Sequence, residues 1–137
     1  MNLGITYQHF GQPALASHCF TRARSIPQRM LDTMQQARLS LNMAVALMTL
    51  AQFAEAEKEF GLAIQLHTHI GSVPWRLNAM DGLAMTYIAW QKFDQAIAVL
   101  EQALAELPTV REAPNYTYLS NSLHRHLAEA RHGCNNR

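Results

Sequence analysis

The sequence has few of the residues and segments on which several large classes of protein depend. It contains two cysteines, Cys19 and Cys134, too few for the disulfide framework of a small secreted domain. No run of apolar residues is long enough to span a membrane. The N-terminus also lacks the basic stretch and apolar core of a secretory leader. We therefore expect a cytoplasmic protein with no membrane partner.

An excess of charge of either sign is also absent. Lys and Arg number 11, Asp and Glu number 10, and the formal net charge is +1. This balance predicts no direct nucleic-acid partner. There is no phosphate-binding glycine loop, no G-x-S-x-G motif and no paired cysteine motif. His18 and Cys19 are adjacent, so on a helix they point apart and form no catalytic pair. We expect no enzyme and no cofactor.

The sequence contains seven histidines, a residue type that often binds metals. The pairs His67–His69 and His124–His126 are each spaced by two, so on a helix their members lie on different faces. A helical zinc pair needs a spacing of four. The sequence therefore predicts no metal site.

What the sequence does contain is an internal repeat. Small and large apolar residues recur in register at four positions, with a period of about 40 residues, and a fixed period of this length predicts stacked helical hairpins. Small residues let the two helices of a hairpin approach closely, and large residues fill the space against the next hairpin. The residues in register are Tyr7, Leu47 and Tyr87; Ala16, Ala56 and Ala96; Phe20, Phe60 and Leu100; and Ala23, Ala63 and Ala103.

Apolar spacings of three and four residues predict helices, and glycine and proline mark the joints between them. Gly11 and Pro13 separate a first helix from a second, and Pro27 precedes the third. Gly133 is expected to cap the last helix. Seven helices result, three hairpins plus one; the last five span about residues 28–50, 53–69, 75–90, 93–107 and 115–132.

This pattern resembles the tetratricopeptide repeat, whose signature is L-G-x-x-Y in the first helix and A-x-x-x-F-x-x-A in the second, often followed by Pro. The third copy carries it as Leu83, Ala84, Tyr87, Ala96, Leu100, Ala103 and Pro108. In spacing alone, the long period resembles the variant found in bacterial signal-responsive regulators and in kinesin light chains.

The resemblance implies an all-α fold, a right-handed superhelix (α-solenoid) of three hairpins and a C-terminal capping helix. The expected repeats span about residues 1–27, 28–70 and 75–108, and the capping helix about 115–132. Together they form a single domain, 1–132, followed by a polar tail, 133–137.

The two ends of the array are expected to differ. His124 stands where one further period would place the small residue of a fourth copy, which suits a capping helix on which no further helix packs. The first copy begins within its first helix, which leaves an apolar surface. Either the chain is the C-terminal piece of a longer repeat protein, or a second copy covers this end in a homodimer. The surface comprises Leu3, Ile5 and Tyr7.

In tetratricopeptide proteins the first helices of the hairpins line a concave groove. Carried over by register, the groove has an apolar floor and polar margins, which suit a partner helix or an extended apolar peptide. Of the residues with which the family's chaperone-tail binders hold a carboxylate, only Asn42 is present, so that activity is not expected. Alternatively, these side chains pack on one another. The predicted groove residues are Arg38, Leu41, Asn42, Val45, Met48, Asn78, Asp81, Met85, Ile88 and Arg125.

Asp81 is the one acidic residue on an otherwise apolar helix, so it is either a buried acid or the partner of an Asn or Arg across the groove. For the whole chain we expect a scaffold or adaptor that binds a protein or peptide. The alternative is a regulatory domain that senses a ligand or peptide at the C-terminal end of a bacterial signalling or transcription regulator. A third class is an accessory subunit of an enzyme.

Overall fold

The computed structural model describes residues 32–136, and helices account for most of this range. No strand occurs in the described residues, so the prediction of an all-α protein is confirmed there. None of the described helices is both long and apolar enough to cross a membrane. The elements are α1 (Thr33–Thr49), α2 (Phe53–Ile70), α3 (Val73–Ala89), α4 (Phe93–Glu106), a short 3-10 helix (Leu107–Val110) and α5 (Tyr116–Asn135).

The chain divides between Ile70 and Gly71 into two compact units. In the first unit α1 and α2 pack against each other as a hairpin. In the second unit α3 packs on α4, and α5 packs on both of them. The described residues therefore contain two hairpins, 33–70 and 73–106, where repeats were expected over about 28–70 and 75–108. The repeat expected over residues 1–27 lies outside the described residues, and the single domain over 1–132 stays a prediction.

The two described hairpins are in the register that the apolar residues predicted. Helices α1 and α3 begin at Thr33 and Val73, and α2 and α4 begin at Phe53 and Phe93. The turn inside each hairpin contains one residue with a positive φ, 61° at Ala51 and 62° at Gln91. The period read from side chains is therefore also the period of the backbone.

Each hairpin turn is a Schellman motif. In the first, the amide of Ala51 donates to the carbonyl of Met48 at 2.9 Å, and that of Gln52 donates to the carbonyl of Leu47 at 2.9 Å. The second turn has the same two bonds, one of them from the amide of Gln91 to the carbonyl of Ile88 at 3.0 Å. These bonds satisfy carbonyls that the end of a helix leaves free. Glycine is the usual residue at the left-handed position, but here it is Ala51 or Gln91.

The core of each hairpin includes the residues that the repeat register selected. The small residues in register are fully buried, which allows the two helices to approach closely. The large residues in register are fully buried on α2 and α4 and at most 8% exposed on α1 and α3. These residues are Ala44 and Ala84, Leu47 and Tyr87, Ala56 and Ala96, Phe60 and Leu100, and Ala63 and Ala103.

Helix α1 begins later than the apolar pattern predicted. Asp32 has extended backbone angles, and its Oδ1 accepts a hydrogen bond from the amide of Gln35 at 2.7 Å. The amide of Asp32 in turn donates to Oε1 of Gln35 at 3.1 Å. This reciprocal capping box starts the helix at Thr33, so a start at residue 28 is wrong.

The repeat register does not extend to α5. This helix begins at Tyr116, later than one period after Val73, because the 3-10 helix and the turn that follows lengthen the connection from α4. The delay is close to one helical turn and brings Leu127, 7% exposed, to the position of Ala84. His124 is exposed, and its Nδ1 lies 2.8 Å from the carbonyl oxygen of Ser120. His124 therefore lies on the exposed side of α5, as expected for a bulky polar residue on which no further helix packs.

Gly133 is not the cap of the last helix. Helix α5 continues to Asn135, and Asn136 is its C-terminal cap. A Cβ atom added at Gly133 would overlap the aromatic ring of Phe93 on α4. The absence of a side chain therefore serves the close contact between α4 and α5, not the end of the helix.

Candidate functional site

Three buried polar side chains connect α3 to α5. The hydroxyl of Ser122 donates to Oδ2 of Asp81 at 2.6 Å. Nδ1 of His126 lies 2.7 Å from Oδ1 of Asp81. Residue exposure is 5% for Asp81, 4% for Ser122 and 6% for His126. Each carboxylate oxygen thus has a hydrogen-bond partner on the neighbouring helix, as a buried carboxylate requires.

The hydrogen bonds fix the orientation of the His126 ring. A carboxylate only accepts hydrogen bonds, so the proton between Asp81 and His126 is assigned to Nδ1. Ser122 Oγ is 3.5 Å from Nδ1, and its shorter bond is to Asp81. In the neutral imidazole the other nitrogen, Nε2, then carries a lone pair.

Ser, His and Asp are the residue types of a hydrolytic triad, but the order here is different. In a triad the serine hydroxyl is hydrogen-bonded to the histidine nitrogen that faces away from the aspartate. Here Ser122 lies on the Nδ1 side and donates to the aspartate itself. Ser122 is also buried. The cluster therefore holds two helices together and positions an imidazole, and it does not activate the serine.

Beside this cluster, α3 and α5 form a shallow open cleft of about 200 Å³. One wall is apolar and is made by the first helix of the hairpin. The other wall is polar and carries an imidazole and a carboxylate. Met85 is 36% exposed at the cleft, which is high for a large apolar side chain. The lining residues are Met85, Ile88 and Ala89 of α3, and His126 and Glu129 of α5.

The structure distributes the predicted groove residues of the second unit over three environments. Met85 and Ile88 line the cleft. Asp81 lies in the buried cluster, where both of its oxygens accept hydrogen bonds from α5. Asn78 is half-buried on α3, and Arg125 is exposed on α5 and does not line the cleft. Of the two alternatives for Asp81, the buried acid is the one observed, and its partners are a serine and a histidine, not an Asn or Arg.

Sequence reasoning missed the two cleft residues of α5, His126 and Glu129. An apolar helix face does not show which residues of another helix lie opposite it. No local signal in the sequence shows how α5 is aligned with α3. The acidic residue on the apolar helix was the one useful indication, because a buried carboxylate requires donors. A search for donors on later helices would have included Ser122 and His126.

The predicted groove residues of the first unit all lie on α1, along one face with helical spacings of three and four. Arg38 is exposed, and the other four are half-buried: Leu41, Asn42, Val45 and Met48. By the repeat register, Val45 and Met48 correspond to Met85 and Ile88. The surface predicted at Leu3, Ile5 and Tyr7 lies outside the described residues.

An ion pair joins the two helices of the second hairpin. Nη1 of Arg76 on α3 donates to Oε2 of Glu106 on α4 at 2.8 Å, and Nη2 donates to the other oxygen. These hydrogen bonds lower the pKa of the Glu106 carboxyl and raise that of the Arg76 guanidinium. The bidentate geometry fixes α3 against the end of α4, away from the cleft residues.

One buried histidine distinguishes the first hairpin from the second. His67 on α2 is 2% exposed and occupies the position that Leu107 has in the next repeat. Burial lowers the pKa of the His67 imidazole, because removal from water disfavours the charged form. We therefore regard His67 as a residue of the core.

Comparison with known proteins agrees with the repeat geometry. The family model described as tetratricopeptide repeat matches residues 35–105. No curated protein and no solved structure gives a significant match to the chain. The matched range runs from the first turn of α1 to the end of α4, and so contains both described hairpins. The two hairpins share one register, and the family's small and large residues are buried between their helices. Together with the match, these observations show that the chain belongs to the tetratricopeptide repeat family.

Proposed function

We propose that the protein is a scaffold that binds a segment of a partner protein, and that the cleft between α3 and α5 receives one side chain of that segment. Tetratricopeptide repeats generally mediate interactions between proteins. The observation that carries the proposal is the cleft lined by Met85, Ile88, Ala89, His126 and Glu129. It combines exposed apolar surface with two polar groups, which is the composition of a recognition site.

The size of the cleft favours a protein partner over a small ligand. Its volume is about 200 Å³. Pockets for small molecules usually have volumes of about 300–1,000 Å³ and bury most of the ligand. A cleft this small and open holds one side chain, while the rest of an extended peptide or helix would contact the neighbouring surface. No observation favours the regulatory sensor in the same way, and that alternative is not proposed.

The apolar wall provides the contact that drives binding. Met85 is flexible and polarisable, so it adapts to side chains of different shape. On α1, Val45 and Met48 occupy the positions of Met85 and Ile88, so the first helix of the preceding repeat presents the same kind of side chain.

The cytoplasmic location and the homodimer stay predictions of the sequence.

The test begins with a probe and a pair of matched variants. A library of random dodecapeptides displayed on phage is selected on the full chain, and the most enriched peptide is labelled with fluorescein. Its affinity is measured by fluorescence polarisation for the wild type, Met85→Glu and Leu62→Glu. Met85 and Leu62 are exposed to nearly the same extent, 36% and 37%, but Leu62 lies on the second helix of its hairpin.

We expect Met85→Glu to weaken binding at least tenfold, about 1.4 kcal/mol, because it places a charge in the apolar wall. Leu62→Glu should bind as the wild type does. Circular dichroism melts of both variants check that the fold is intact. Equal affinity of Met85→Glu and the wild type, or an equal loss in both variants, would contradict the proposal.

A further inference from the structure

The polar wall of the cleft includes His126, and the hydrogen bond to Asp81 sets the orientation of its ring. Nδ1 of His126 is engaged with Asp81 at 2.7 Å, and the side chain is 8% exposed. Nε2 is the other ring nitrogen, separated from Nδ1 by one carbon, and His126 lines the cleft. No hydrogen bond to Nε2 is present among the described residues. The His126 ring is more than nine-tenths buried and lines the cleft, and its Nε2 has no hydrogen-bond partner among these residues.

The polar groups of this wall are hydrogen-bond acceptors. Because Nδ1 carries the proton toward Asp81, Nε2 of the neutral imidazole can only accept a hydrogen bond. Glu129 lies three residues further along α5, on the same side of the helix, and its carboxylate is a second acceptor. A ligand that satisfies both groups has to supply several donors, and a cationic ligand also balances the charge of Glu129.

The opposite wall restricts the ligand further. Met85, Ile88 and Ala89 offer only apolar surface to the cleft. A group that fills the space therefore needs a hydrocarbon portion to contact α3 and a cationic end to reach α5. Lysine and arginine side chains have this construction, because an aliphatic stem carries the charged head.

We propose that the cleft is a pocket for a lysine or arginine side chain of the partner segment. The stem lies along Met85, Ile88 and Ala89, and the head donates to Nε2 of His126 and to the carboxylate of Glu129. Asp81 and Ser122 act as positioning residues, because they hold the imidazole with Nε2 toward the cleft. This inference rests on the proposed function and adds the chemical identity of the recognised side chain.

The experiment uses the peptides enriched on the full chain. Their sequences are aligned, and a labelled copy of the best binder is compared with a copy in which norleucine replaces the basic residue. Norleucine keeps the aliphatic stem and removes the charge. Both peptides are measured against the wild type, Glu129→Gln and, as a matched control, Glu112→Gln. Glu112 is an exposed acid between α4 and α5 that does not line the cleft.

We expect the enriched peptides to share one Lys or Arg. The norleucine copy should bind the wild type about tenfold more weakly. Glu129→Gln should reduce the affinity of the basic peptide several-fold and narrow the difference between the two peptides, whereas Glu112→Gln should change neither. A new selection on Glu129→Lys should no longer enrich basic residues at this position.

The two proposals fail in different ways. If peptides are enriched and lose affinity on Met85→Glu, but share no basic residue or bind Glu129→Gln unchanged, the proposed function stands and the basic pocket is overturned. If no peptide is enriched, or binding is insensitive to Met85→Glu, both are overturned.

Discussion

Asp81 on α3 and His126 on α5 are 45 residues apart in the sequence and share a buried hydrogen bond of 2.7 Å. The carboxylate also accepts from Ser122, so the three side chains form one unit between two helices. Removal of one member leaves buried polar atoms without a partner, which costs more than the bond itself contributes.

A double-mutant cycle tests this coupling. We expect Asp81→Ala and His126→Ala each to lower the free energy of unfolding by about 2–4 kcal/mol. The double variant should be about 1–3 kcal/mol more stable than the sum of the two losses predicts, because the second substitution removes an already unpaired group. Urea denaturation measures all four proteins. Glu112→Ala, at an exposed site, serves as the control, and strict additivity would refute the coupling.

Two glycines in helices should respond to alanine with opposite signs. Gly133 lies against the ring of Phe93, so the added methyl group of Gly133→Ala has to displace the ring or the helix. We expect a loss of about 1–3 kcal/mol. Gly61 lies within α2 and has no atom within 4 Å of an added Cβ. Gly61→Ala should stabilise the protein by about 0.5–1 kcal/mol. Thermal melts that show the same sign for both would contradict the packing.

The hairpin turns offer a further stabilising substitution. Gln91 has a φ of 62°, which strains a residue with a side chain. We expect Gln91→Gly to raise the free energy of unfolding by up to about 1 kcal/mol, because relief of that strain exceeds the added entropy of the unfolded chain. Gln95→Gly, within α4, should instead lower it by about 1 kcal/mol. Urea midpoints compare the two, and a destabilised Gln91→Gly would disprove the role of the turn.

The ion pair of Arg76 and Glu106 predicts that the stability of the protein falls at acid pH. The pKa of Glu106 is lower in the folded protein than its usual value of 4.5. The contribution of the ion pair to the free energy of unfolding is therefore fully present above pH 4.5. It is lost as the pH falls through the lowered pKa of Glu106 in the folded protein. Because the side chains are 18% and 33% exposed, we expect only about 0.5–1 kcal/mol.

Glu106→Gln provides the measurement. The variant should be less stable than the wild type at pH 7, and the difference should shrink as the pH falls below 4.5. Urea unfolding of both proteins between pH 7 and pH 3 follows this difference. Glu101→Gln, which alters an ion pair whose two side chains are more than half exposed, should show little difference at any pH. A constant deficit of Glu106→Gln across this range would rule out the ion pair as its cause.

Repeat architecture could be predicted from the sequence because the same packing constraint acts on every copy. Ala56 and Ala96 are small for one reason, the close approach of two helices, and a constraint that recurs at a fixed period is visible without a structure. The small and large residues buried in register in both hairpins follow from it. Helix ends follow from individual contacts, so the start of α1 at Thr33 depended on the capping box of Asp32 and was missed.

The cleft and the buried cluster could be predicted only in part. Met85 and Ile88 follow from the face of one helix. His126 and Glu129 depend on how α5 is aligned with α3, and the longer connection before α5 moves that register by about one turn. Gly133 was assigned to a helix end because glycine is common there. Its actual role depends on a contact with Phe93 at the start of another helix. The residues that surround Gly133 in the sequence do not reveal such a contact.

The central claim is that a partner peptide binds across α3 and α5. Titration of the ¹⁵N-labelled full chain with the enriched peptide, followed by heteronuclear NMR, tests it most directly. We predict that the largest amide shifts cluster at Met85, Ala89, His126 and Glu129, and that Met85→Glu reduces them at the same peptide concentration. Shifts that cluster instead on the exposed face of α4, at Gln95, Ala98 and Gln102, would contradict the account.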